Sequence, residues 1–162
     1  MWPFAKKNNV FSLDQYQLTV EERREVSITF DSFTTPEGRK IGKEPHSSAV
    51  SRGLTAYALW DYAEQKAIQA DGNPNALARE PLLALAIDAI KKAYRIHNLP
   101  VYLFDLGRYQ EAIGKLIPAD RAYRAFIEEQ ANYEPEEGDY HFLRERNIEK
   151  ALEDTRESLA YM

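Results

Sequence analysis

Apolar residues recur with a helical period along most of this chain. Leu83, Ile87, Ile90, Tyr94 and His97 follow one another at steps of four, three, four and three. That spacing places them in one stripe along a helix with a single buried face. Pro81 is expected in the first turn of this helix, where a missing N–H costs nothing, and Asn98-Leu-Pro100 ends or kinks it. Upstream, Val50, Leu54 and Tyr57 repeat the spacing. They predict a helix capped by Ser47 or Ser48 that runs to about Ala70 and stops at Asp71-Gly-Asn-Pro-Asn75. Downstream, a short helix is expected over residues 100–106, with Tyr102, Leu103, Phe104 and Leu106. Gly107 is expected to make a tight turn, and Tyr109–Leu116 to begin the next helix. Pro118 kinks or restarts that helix, with Ala119, Ala122, Tyr123 and Phe126 inside. A last helix is predicted from about Tyr140 to Leu159, with Ile148, Leu152, Thr155 and Leu159 in line. The implied fold class is all-α, built from antiparallel helical hairpins.

The N-terminal region is less regular. Residues 1–18 sustain no period. Thr19-Val-Glu-Glu22 is a capping-box pattern, and a helix from there to about Phe33 places Val26, Phe30 and Phe33 on one face. Val26, Ile28 and Phe30 also alternate, and Ser-Ile-Thr-Phe suits a strand, so helix and strand both stay open. Residues 34–47 contain Pro36, Gly38, Gly42 and Pro45 and read as a loop. Arg39, Lys40 and Lys43 make it the most basic stretch, a connector or a binding loop, without the spacing of a phosphate-cradling loop. The chain therefore divides into an irregular N-terminal arm, 1–47, and a helical domain, 48–162.

The run Gly107-Arg-Tyr-Gln-Glu-Ala112-Ile113 resembles the turn and second-helix start of a tetratricopeptide repeat. In that family the glycine permits the reversal and the alanine lets two helices approach. Fainter echoes lie in Glu64-Gln-Lys-Ala-Ile-Gln-Ala-Asp71 with Pro74, and in Ile148-Glu-Lys-Ala-Leu152. Pro100 and Pro118 depart from the pattern, and no fixed period runs through the chain. A tetratricopeptide-like stack and a compact helical bundle are both compatible with these features. The resemblance implies that Tyr94, His97 and Asp105 face a concave groove and touch a peptide.

Charge and composition narrow the classes. Net charge is −5, which argues against nucleic acid as a partner, because phosphate neutralisation needs clustered Lys and Arg. The imbalance sits late in the chain: residues 1–80 carry 10 basic and 11 acidic side chains, residues 81–162 carry 11 and 15. Glu128, Glu129, Glu134, Glu136, Glu137 and Asp139 are a solvated acidic turn or a docking patch for a basic partner. Cys is absent, which removes disulfides and thiolate chemistry and fits a cytoplasmic setting. No apolar run reaches the length of a membrane-spanning helix. Trp2 and Phe4 beside Lys6 and Lys7 either tuck onto the body or touch a membrane surface.

Candidate chemistry is sparse. His46, His97 and His141 form no pair at helical ligand spacing, so no metal site is assigned. His46 with Ser47 and Ser48 lacks a nucleophile elbow. No catalytic residue and no cofactor are assigned. The leading expectation is an interaction or adaptor module that binds a peptide or partner protein in a helical groove. The alternative is a structural or assembly subunit, oligomerising through its helices or anchoring by its N-terminal arm, and an enzyme ranks below both.

Overall fold

A computed structural model of the chain describes residues 13–32, 49–135 and 147–162. Among these residues all regular structure is helical. A short 3-10 turn, Leu13–Tyr16, precedes α1 (Val20–Ser32), α2 (Ala49–Asp71), α3 (Ala76–Ile96), α4 (Val101–Ala112), α5 (Leu116–Ala131) and α6 (Ile148–Tyr161). Short turns join α2 to α3, α3 to α4 and α4 to α5, so each packs beside its predecessor, and α6 lies on α4 and α5. The fold is an all-α helical bundle. Trp2, Phe4, the 34–47 loop with His46, the capping serines 47 and 48, and His141 with Glu136, Glu137 and Asp139 lie outside the described residues.

Residues 20–32 are helix, not strand, and the capping box explains why. The Thr19 N–H donates to Glu22 Oε1 at 2.8 Å, and the Glu22 N–H donates to Thr19 Oγ1 at 3.1 Å. Two orphan donors of the first turn are satisfied together. Val26 and Phe30 then enter the same core as the later helices, while Ile28 is left exposed. A strand alternation would have buried Ile28 with them, and the helical period did not. Glu22 itself is buried and accepts from Lys92 Nζ of α3 at 2.8 Å, an ion pair that fastens α1 to the body.

The seam between α2 and α3 is lined by alanine. Ala56, Ala58, Ala63, Ala86, Ala89 and Ala93 are all fully buried, and such small side chains let two helices approach closely. The stripe on α3 holds in part: Leu83 and Ile90 are buried, whereas Ile87 and Tyr94 are half-buried against the core. The buried surface of α3 is wider than one stripe because both α2 and α4 pack on it. Ala70 and Asp71 close α2 as expected.

Three breakers act differently from their sequence reading. Pro81 is not in the first turn of α3. The helix begins earlier, at Ala76, because Asn75 caps it: its side chain accepts from the Leu77 N–H at 2.9 Å. Gly107 is not a turn residue but lies inside α4. Its lack of a side chain admits the Tyr123 ring of α5, since a Cβ there would stand 2.6 Å from two ring carbons. The reversal comes at Gly114, whose φ of +86° is left-handed. The Lys115 N–H donates to Gln110 O at 2.8 Å and the Gly114 N–H to Glu111 O at 3.0 Å, the paired bonds of a Schellman stop. Pro118 then falls in the first turn of α5, where its N–H is not needed. The Gly107–Ile113 run thus forms one helix and its end.

The last described helix starts at Ile148, capped by the Asn147 side chain, which accepts from the Lys150 N–H at 2.9 Å. Ala151 and Thr155 are buried beneath it, with Ile148, Leu152 and Leu159 half-buried. Its other face carries exposed Glu149, Lys150, Glu153, Arg156 and Glu157.

Candidate functional site

The most concentrated chemistry lies where α2 meets α4. Asp105 is fully buried and Tyr109 nearly so, one helical turn apart on the inner face of α4. Arg108 donates to Asp105 Oδ1 at 2.7 Å and also to the Glu64 carboxylate of α2. Tyr109 donates its hydroxyl to Glu64 at 2.5 Å. Glu64 therefore accepts from two residues of α4 at once and ties the first hairpin to the second. The guanidinium also lies 5.3 Å from the Phe104 ring centre and 5.2 Å from that of Tyr109, a geometry that favours a cation over the ring faces.

The electrostatics follow from burial and charge. Burial alone would lower the Arg108 pKa, but the Asp105 and Glu64 carboxylates outweigh it and hold the guanidinium charged. Burial first, then the same two carboxylates, push the Tyr109 hydroxyl far above its ordinary value, so it stays a donor. Tyr123 on α5 is raised chiefly by burial and then by its 2.7 Å bond to Glu111. Arg108, Tyr109 and Tyr123 thus all keep their protons near neutrality.

Two hollows flank this cluster. One, of about 450 Å³, lies between α2, α3 and α4 and is lined by Glu64, Ile68, Asp71, Arg79, Arg108 and Ala112 among others. The second, of about 330 Å³, lies between α4, α5 and α6 and is lined by Phe104, Glu111, Tyr123, Asp154 and Ser158 with the same Arg108 and Ala112. Arg108 and Ala112 are one turn apart, so together they form a ridge of α4 with a hollow on either side. Side by side across α2, α4 and α6, with that ridge between them, the two hollows form a divided trough. Ile68 stands 67% exposed on its edge, an apolar side chain presented to whatever enters.

The residues expected to touch a peptide are placed otherwise. Tyr94 is half-buried on α3 and donates to Glu129 of α5 at 2.5 Å, with its pKa pushed up to about 12 by burial and that carboxylate. His97 ends α3, its backbone N–H donating to Ala93 O at 2.9 Å. Asp105 is fully buried and holds Arg108. None of the three lines either hollow of the trough. Their register was counted from Gly107 as a turn residue, and Gly107 is in mid-helix. The residues that line the hollows, Glu64, Arg108 and Glu111, lie on helix faces already rich in charge, so the sequence carried no local signal for them.

The described part of the acidic run forms a third hollow of about 600 Å³, where Glu128, Glu129 and Glu134 meet Asn98, Pro100 and Tyr133. Among the described residues no group of three or more His, Asp or Glu could hold a metal ion, and no helix is long and apolar enough to cross a membrane. The chain matches no family model, no curated protein and no solved structure.

Proposed function

We propose that this chain is a helical interaction module that takes a segment of a partner protein in the trough across α2, α4 and α6. The observation that carries the reading is the sharing of Arg108 and Ala112 by two adjacent hollows, which gives an elongated site instead of a closed pocket. Elongated grooves between packed helices suit an extended or helical peptide. The floor is held rigid by the Asp105–Arg108–Glu64 network, so binding there orders little of the module. The succession of hairpins α2–α3 and α4–α5 supports a repeat-like role of this kind, and the Gly107 run does not. The lack of cysteine supports placing the module in the cytoplasm.

The test is to block the trough. Ala112 is exposed near the end of α4, so Ala112→Arg fills the ridge without entering the core. Partner capture from the native cell is expected to fall at least tenfold while thermal unfolding is unchanged. Undiminished capture by a folded Ala112→Arg protein would remove the trough from the account.

A further inference from the structure

We infer that the segment received by the trough is basic, with an aliphatic side chain seated between α4, α5 and α6 and lysine or arginine on either side of it. This rests on the binding-module reading above and adds the chemistry of the partner. The second hollow has an apolar floor: Phe104 and Tyr123 stand with ring centres 6.3 Å apart, and Ala112 adds a methyl group. Its rim is acidic, from Glu111 and Asp154.

Among the described residues Arg108 is the one basic residue lining this hollow, and its charge is already met by Asp105 and Glu64. It therefore leaves the rim uncompensated. Glu111 uses one oxygen to accept from Tyr123. Asp154 is paired with Lys150 of its own helix at 2.5 Å, but Lys150 is well exposed and such surface pairs are weak, so an incoming cation displaces it at little cost. Along the two hollows, Glu64, Asp71, Glu111 and Asp154 stand against Arg79 and Arg108. Four carboxylates against two guanidiniums attract a cationic segment. They repel an acidic peptide or a nucleic acid, since like charges brought together across an interface are costly.

The experiment uses the full chain and two short fluorescein-labelled peptides with the same leucine spacing, one carrying lysine and the other glutamate between the leucines. Anisotropy titrations are run at two salt concentrations. The lysine peptide is expected to bind, to weaken as salt rises, and to lose at least tenfold on Ala112→Arg or on Ile68→Lys. The pair Glu111→Gln with Asp154→Asn is expected to weaken it by about threefold to tenfold and to flatten the salt dependence. Circular dichroism confirms that each variant is folded. If the glutamate peptide binds equally well and remains sensitive to Ala112→Arg, the charge inference falls and the trough reading stands. Failure of the lysine peptide to bind, or binding indifferent to both blocking variants, overturns the inference, and the capture test above then decides the trough separately.

Discussion

Replacing Gly107 by alanine gives the sharpest test of how α4 and α5 are joined. At a solvent-facing helix position, glycine to alanine stabilises by about 1 kcal/mol, because alanine loses less backbone entropy on folding. Here the added methyl would lie 2.6 Å from Cδ1 and Cε1 of Tyr123 and 3.0 Å from its Cζ. Tyr123 is 1% exposed and its hydroxyl is bonded to Glu111, so the ring has little room to retreat. Overpacking of this kind costs about 1–3 kcal/mol, and a broken Tyr123 hydrogen bond adds about 1 kcal/mol. Set against the propensity gain, the net expectation is a loss of about 1–3 kcal/mol, measured by urea denaturation at constant slope. In a Tyr123→Leu background the obstruction is gone, and the same Gly107→Ala change should be neutral or stabilising. A double-mutant cycle thus expects a coupling on the order of 1–3 kcal/mol. A stabilised Gly107→Ala protein, or strict additivity with Tyr123→Leu, would refute the close approach of α4 and α5.

Three further outcomes test separate joints of the structure. Glu22→Gln removes the buried one of the two carboxylates paired with Lys92 and leaves it the exposed Asp88, which should cost about 2–3 kcal/mol by chemical denaturation, with α1 amides losing hydrogen-exchange protection first. Burial lowers the Lys92 pKa, but its hydrogen bonds to Glu22 and Asp88 outweigh that and raise it above its ordinary value. The folded state therefore binds the proton more tightly, so this stability is complete below about pH 10 and lost as pH rises through the raised pKa. A Lys92→Met protein should show less of that alkaline loss, and identical alkaline profiles would contradict the assignment. Arg108→Ala removes the ion pair of the fully buried Asp105 and should cost about 3–5 kcal/mol, while Arg108→Ala with Asp105→Asn should recover part of it in the same assay. Gly114→Ala forces a side chain into the left-handed region at φ +86° and should lower stability by about 1–2 kcal/mol; an unchanged midpoint would show the turn to be misplaced.

The elements were legible where local chemistry and burial agree. The Thr19–Glu22 box and the buried Val26 and Phe30 settle α1 as helix, and the α3 stripe contains Leu83 and Ile90 in the core. The joints were less legible because a glycine or proline has more than one use. Gly107 and Gly114 look alike in sequence, yet one receives a ring from another helix and the other takes a left-handed φ. Only the partner across the seam, Tyr123, separates the two uses. The same ambiguity bears on the groove expectation: Tyr94, His97 and Asp105 take their register from Gly107 as a turn, and Gly107 lies inside α4. The hollow between α2, α3 and α4 is lined by Glu64, Arg108 and Ala112 among others. A charged network such as Glu64–Arg108–Asp105 spans residues far apart in the chain, and no local period announces it.

The central claim, that a partner lies along α2, α4 and α6, is tested most directly by site-specific photo-crosslinking in the native cell. A photoreactive amino acid is placed at Ile68 or Ser158, which line the trough, and at Glu153 or Arg156 on the outer face of α6. The expected result is a discrete protein adduct from Ile68 and from Ser158, of the same mass, absent from Glu153 and Arg156 and lost when Ala112→Arg is added. Adducts that arise equally from the outer face, or that persist with the trough filled, would contradict the account.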